Sequence, residues 1–146
     1  MATATGSGTS QLTFGQRLRT DPAFTAFWIL RAGFIILPLL MGIDKFTNLM
    51  VDWPSYLAPW IANISPLGAQ GTMYLVGVIE IIAAIGIAVR PRWSAYVVAA
   101  WLLGIIVNLV TAGNGGWDIA LRDVGLLVAA LALAALSARY DRPRED

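Results

Sequence analysis

Gly71-Thr72-Met73-Tyr74-Leu75-Val76-Gly77-Val78-Ile79-Glu80-Ile81-Ile82-Ala83-Ala84-Ile85-Gly86-Ile87-Ala88-Val89 is a run of nearly continuous hydrocarbon with a single ionisable group, Glu80, near its centre. As a helix rising about 1.5 Å per residue it is long enough to cross a hydrocarbon layer of about 30 Å. Arg90-Pro91-Arg92 follows at once and forces a tight turn. Three further segments have the same character: about Ala23 to Phe46, about Ser94 to Ala112 and about Ile119 to Ala138. Asp21-Pro22 opens the first as a helix start, and Gly113-Asn114-Gly115-Gly116 makes the turn between the last two. The pattern predicts an all-α membrane protein, a bundle of four transmembrane helices over residues 21–138.

Composition agrees. Of 146 residues, 58% are hydrophobic and 13% charged, well outside the range of soluble domains. A net charge of +1 with no internal basic run offers no surface for nucleic acid. The chain has neither Cys nor His, which removes the usual protein ligands of haem, iron–sulfur, copper and structural zinc, and removes disulfides. The expected partners are the lipid bilayer and other subunits of a membrane complex.

Loop charges orient the bundle. Arg17, Arg19, Arg90, Arg92, Arg139, Arg142 and Arg144 fall on one side of a four-span arrangement, whereas the other side has Lys45, Asp44, Asp52 and Asp118. The positive-inside rule then places both termini in the cytoplasm. Trp28 and Trp93 mark the inner boundary, Trp53, Trp60 and Trp117 the outer one, and Trp101 falls within the membrane. The first span starts too far along the chain, without a cleavage site, for a removed signal peptide. Residues 1–20, which open Ser/Thr/Gly-rich, read as a disordered cytoplasmic tail, and residues 139–146 as a basic one. In the one long loop, Asp52-Trp53-Pro54-Ser55-Tyr56-Leu57-Ala58-Pro59-Trp60-Ile61 suggests a short helix in the outer interface, either an anchor or a lid over a site between helices. Asn63-Ile64-Ser65 is a glycosylation acceptor only in a secretory pathway.

The informative residues are charges inside greasy segments. A charge at the bilayer centre costs about 2.5–3.5 kcal/mol on insertion scales, so each needs a partner or a wet cavity. Helical spacing puts Arg31, Ile35, Pro38, Gly42 and Lys45 on one stripe, with Asp44 pointing away from it. Gly77, Glu80, Ala84 and Ala88 form a second stripe, Gly104 and Asn108 a third, and Arg122, Gly125, Ala129 and Ala132 a fourth. The last three are expected to face inward, because small residues allow close helix approach. Counting from the helix ends places Arg31 and Glu80 both about 13 Å from the inner boundary. That predicts an Arg31–Glu80 contact at mid-depth and an outer polar layer of Asp44, Lys45, Asn108, Arg122 and Asp123. The Arg31–Glu80 pair is either a buried ion pair setting helix register or a proton-titrating, ligand-orienting one. Arg122 either snorkels to Asp118 or grips a quinone carbonyl or a partner. Asp123 has no partner in its own helix, and Asn108 suits an interhelical hydrogen bond.

Arg31, then Gly42-Ile43-Asp44-Lys45 closing the first span, then Val76-Gly77-Val78-Ile79-Glu80 with Gly86 and Arg90-Pro91 in the second, resembles the DoxX family of small bacterial membrane proteins. That family's pattern is an early Arg in helix one, Gly-x-x-Lys at its end and a Glu on helix two ahead of a glycine. The likeness covers most of residues 27–136, and the Gly- and Asp-containing ending frequent in the family is not evident here. It implies a multi-pass protein of the bacterial inner membrane, and a subunit associated with a quinone-linked oxidoreductase such as thiosulfate:quinone oxidoreductase, or with oxidative-stress complexes. Any cofactor would then be a quinone, with none intrinsic to the chain. Three readings stay open: a subunit of a quinone-linked respiratory or redox complex, a small proton-coupled transporter or channel using Glu80, and a purely structural assembly subunit.

Overall fold

The computed structural model describes residues 11–141. Residues 1–10 of the expected N-terminal tail and 142–146 of the basic C-terminal tail lie outside the described residues. The described chain is all-helical: α1 (Phe14–Thr20), α2 (Pro22–Thr47), α3 (Pro59–Ile64), α4 (Gly68–Val89), α5 (Pro91–Thr111) and α6 (Trp117–Tyr140), with a 3₁₀ turn at Trp53–Tyr56. Four of these helices, α2, α4, α5 and α6, are long and apolar enough to cross a membrane.

Each span starts where local chemistry allows. Pro22 and Pro91 occupy first helical positions, where a missing N–H costs nothing. Asp21 caps α2 by accepting from the Ala23 and Phe24 amides, each at 3.1 Å. α2 ends at Asn48, which takes the left-handed conformation (φ 49°) that asparagine tolerates better than most residues.

Part of the segment expected to be a disordered tail is ordered. Residues 14–20 form α1, entered through a capping box between Thr13 and Gln16. Phe14 sits edge-on to Phe24 and Trp28, with centroids at 5.6 and 5.3 Å, so α1 folds back onto α2. Thr13-x-x-Gln16 is legible in the sequence but follows a Ser/Thr/Gly-rich stretch that masks it.

The spans form a ring. α2 packs most closely on α4 and α5 on α6, while α2–α6 and α4–α5 contacts close it. The apolar core gathers Phe27 and Phe34 of α2, Ile87 of α4, Val98 and Leu102 of α5, and Leu133 of α6. All of these but Leu102, just past the middle of α5, lie in the half nearer the α4–α5 turn. The inward stripe of α6 runs Ala120, Asp123, Leu127, Ala130, Ala134 and Ser137, of which Asp123 and Leu127 are half-buried and the others buried. Of the expected stripe, Arg122, Gly125 and Ala132 instead turn outward, as does Gly104 of α5, while Ala129 is half-buried against the core. Small residues serve in lipid as well as at interfaces, so smallness alone mislabelled these faces.

Close approach occurs at other glycines. A Cβ built on Gly77 would lie 2.7 Å from the Gly42 carbonyl oxygen, and one on Gly42 would lie 2.8 Å from that of Gly77. Nothing lies within 4 Å of a Cβ at Gly104 or Gly125. Gly77→Val should therefore force α2 from α4 and cost about 1–3 kcal/mol by overpacking, whereas Gly104→Ala and Gly125→Ala should be neutral or mildly stabilising. Thermal unfolding in one detergent compares the three.

The first and last spans are tied where they share an end: the Tyr140 hydroxyl donates to Asp21 at 2.9 Å, and Phe24 lies edge-on to Tyr140. The amide of Phe24, then the Tyr140 hydroxyl, hold the Asp21 carboxyl below its ordinary value. Such a group stabilises the fold above its unfolded pKa, and the contribution is lost as pH falls through the depressed folded value. Thermal midpoints should thus decline below about pH 4, and Asp21→Asn should flatten that decline while lowering the midpoint at neutral pH.

Candidate functional site

The deepest charges do not pair as counting suggested. Lys45 Nζ donates to Glu80 Oε2 at 2.8 Å, with the two side chains 5% and 11% exposed. Arg31 donates through Nη2 to the Ala88 carbonyl at 2.5 Å and meets no carboxylate among the described residues.

Helix offset explains the difference. Gly42 and Gly77 lie side by side, yet Gly42 is five residues from the end of α2 and Gly77 nine from the start of α4. At the opposite end α2 runs eight residues past α4, about 12 Å at helical rise. Arg31 is eleven residues before Gly42 and Ala88 eleven after Gly77, so Arg31 is level with the closing turn of α4. There its guanidinium meets an otherwise unpaired terminal carbonyl at the negative end of the helix dipole.

Side-chain direction then makes Lys45–Glu80 the natural pair. Helical side chains tilt toward the N-terminus of their own helix. On antiparallel α2 and α4, Lys45 therefore leans toward Glu80 and Glu80 toward Lys45, while Arg31 leans away. The glycines clear the path. Lys45 Cβ is 3.1 Å from where a Gly77 Cβ would be, and Glu80 Cβ is 3.3 Å from where a Gly42 Cβ would be. Each ionic side chain crosses the opposite helix over a glycine.

The long loop roofs this pair. The Trp53 ring lies 3.7 Å from Lys45 Nζ, and its Nε1 donates to Asp44 Oδ2 at 2.7 Å. Asp44 also accepts from the Leu49 and Met50 amides at 3.1 and 3.2 Å and from the Thr47 hydroxyl at 3.2 Å. It is buried and organises the chain leaving α2. Asn108 grips the same loop from α5, accepting from the Ala58 amide at 2.8 Å and donating to the Tyr56 carbonyl at 2.9 Å. Asn108 thus binds loop backbone rather than another span. Leu57 and Ala58 are consequently buried, while Trp60 stays exposed and donates to Thr111 Oγ1 at 2.9 Å.

The remaining candidates divide. Arg122 is 78% exposed and reaches only Asp118, 4.0 Å away and itself exposed, so it faces out of the bundle. Asp123 is half-buried on the inward stripe of α6. The structure therefore joins Lys45 to Glu80, with Asp44 and Asn108 holding the roof above them and Asp123 facing the bundle interior from α6. Arg31 and Arg122 are elsewhere. Sequence reasoning missed the Trp53–Asp44 latch; the signal available was a tryptophan nine residues after an aspartate at a helix end.

A groove of about 460 Å³ runs between α4 and α5, away from the ion pair. Its lining is almost wholly apolar and includes Ile79, Ile82, Gly86, Ser94, Val97 and Trp101, with no titratable group. Near the turn the helices touch, Ser94 Oγ being 2.7 Å from where a Gly86 Cβ would sit. Trp101 Nε1 is buried without an acceptor.

The chain matches no family model, no curated protein and no solved structure.

The ion pair makes a direct energetic prediction. Lys45→Met leaves Glu80 buried and alone and should cost about 3–5 kcal/mol, while Lys45→Met with Glu80→Leu should recover most of that loss. A double-mutant cycle on reversible unfolding in detergent measures the coupling.

Proposed function

We propose that this multi-pass membrane protein is a non-catalytic subunit of a quinone-linked redox complex, similar to the DoxX proteins that its Gly42-x-x-Lys45 and Glu80 pattern resembles. On this reading it resides in a bacterial inner membrane with both termini in the cytoplasm and the short loop helix at the outer interface.

The observation that carries the quinone assignment is the α4–α5 groove with its orphaned indole N–H. A buried donor without an acceptor costs free energy, and an oxygen brought by an apolar ligand would relieve it. Trp101 would then turn its buried indole N–H into the groove and donate to a headgroup carbonyl, while Ile79, Ile82 and Val97 lie against an isoprenoid chain. A bound quinone would supply electron-carrying chemistry to a chain that lacks the Cys and His side chains by which haem, iron–sulfur and copper are usually held. The Lys45–Glu80 pair is a poor direct headgroup site, because Trp53 already covers the ammonium. Its role on this reading is to bolt α2 to α4.

A second reading, proton-coupled transport through Glu80, is favoured by the half-buried Asp123 on the inward stripe of α6, a second carboxylate inside the bundle with no ion-pair partner among the described residues.

Mass spectrometry of the gently extracted protein tests the first reading by reporting partners and bound quinone together. A larger complex is expected, with quinone retention falling about tenfold in Trp101→Phe, the worth of one hydrogen bond. A lone, monodisperse chain with neither quinone nor partner sinks it. Glu80→Gln separates the alternatives: normal assembly with lost activity favours proton chemistry, and lost assembly favours the bolt.

A further inference from the structure

Among the described residues, the end of the bundle that holds the α4–α5 turn has an excess of cations over carboxylates. Arg17, Arg19, Arg31, Arg90, Arg92 and Arg139 lie there, and among the described residues none forms an ion pair. Among the described residues, the two carboxylates at that end, Asp21 and Asp141, are already engaged. Asp21 accepts from two backbone amides and Tyr140, and Asp141 accepts from the Arg92 amide at 3.4 Å.

The guanidinium groups are held rather than loose. Arg17 lies 4.0 Å from the Phe24 ring centroid, Arg31 4.9 Å from Trp28, Arg92 5.4 Å from Trp93 and Arg139 5.2 Å from Tyr140. Stacking fixes the plane of a guanidinium and leaves its N–H edge free for a planar fork onto oxygen.

Arg31 is the most specific of these sites. Its ring contacts are doubled by Phe27 at 5.7 Å, and Nη2 is tied to the Ala88 carbonyl, one residue before the end of α4. Among the described residues Nη1 meets no acceptor, Nε is buried without one, and so is the Nε1 of the stacked Trp28. One guanidinium and one indole at the same place thus lack oxygen acceptors, at the depth where a membrane-spanning helix ends. Ile85 and Val89, exposed on the last turns of α4, present hydrocarbon beside them.

We propose that Arg31, stacked on Trp28 and Phe27 and tied to the Ala88 carbonyl, binds the phosphate of an anionic phospholipid and selects it, because a zwitterionic headgroup sets its own cation against the guanidinium. The acyl chains lie along α2 and α4, and the phosphate oxygens meet the terminal guanidinium nitrogens, of which Nη1 has no acceptor among the described residues. This site is independent of the quinone reading, because it uses the opposite charge chemistry and none of the α4–α5 groove's polar groups.

Native mass spectrometry of the delipidated protein tests it, with phosphatidylglycerol and phosphatidylcholine of identical chains as probes. The first phosphatidylglycerol should bind about tenfold more tightly than phosphatidylcholine, because the choline ammonium beside the shared phosphate opposes the Arg31 guanidinium. Arg31→Gln should bring that ratio close to one, whereas Arg139→Gln, at the same end, should change it less than about twofold. Arg31→Lys keeps the charge without the planar fork and should fall about midway, which covers the case in which the glutamine variant does not fold. An unchanged ratio in Arg31→Gln, or in Arg31→Lys where the glutamine variant is unfolded, overturns the site. Displacement of the lipid by an equal concentration of inorganic phosphate also overturns it, since that marks a free-anion site.

Discussion

The contact on which the rest of the structure depends is the approach of α2 and α4 at Gly42 and Gly77. Neither position tolerates a Cβ, because each would press on the other's carbonyl oxygen. That approach sets the offset of the two helices, and the offset decides every polar partner along them. Lys45 crosses over Gly77 to Glu80, and Arg31 falls at the end of α4 instead of its middle. An ammonium and a carboxylate that would each be costly in hydrocarbon become a short, charge-assisted hydrogen bond. Close glycine packing and the ion pair are thus one device.

The bundle is divided along its length. Toward the α4–α5 turn the interior is dry, filled by aromatic, aliphatic and alanine side chains. Toward the other end it carries Lys45, Glu80 and Asp123, closed by a loop that Asp44 and Asn108 hold through backbone and indole hydrogen bonds. A loop with so many anchors acts as a fixed roof. Beyond the dry half, the outer surface of the turn end is ringed by arginines stacked on aromatic rings. Polar chemistry therefore occupies opposite ends of the molecule in different forms: paired and enclosed at one, unpaired and open at the other. The two proposals follow that division, a lipid phosphate at the open end and an apolar ligand along the dry wall of α4 and α5.

Much of this was legible residue by residue. Four apolar runs of the right length, the turns at Arg90-Pro91 and Gly113–Gly116, and the start at Asp21-Pro22 all reappear as helices and turns within a few residues. Arg31, Lys45, Glu80, Asn108 and Asp123 were legible as residues that could not face lipid unaided. Their partners were not. Equal counts from two helix ends imply equal depth only if the ends are level, and here α2 overruns α4 by eight residues. The tilt of side chains toward each helix N-terminus was available without coordinates and already favoured Lys45 over Arg31 as the partner of Glu80. Small-residue stripes misled for a different reason: Gly42 and Gly77 are pressed together while Gly104 and Gly125 face outward, and no local pattern separates the two cases.

By itself the sequence determined the class of protein and the number of its spans, because length and hydropathy are local properties that a bilayer reads segment by segment. It also determined which side chains need partners, since the cost of a charge in hydrocarbon belongs to the residue. Only the tertiary structure decided who those partners are. Pairing depends on the axial offset and rotation of whole helices, and these are set by packing at a few glycines and by a loop returning from far along the chain. Lys45–Glu80, Trp53–Asp44 and Asn108 with the loop backbone join residues 35, 9 and about 50 positions apart. No one-dimensional period encodes such separations.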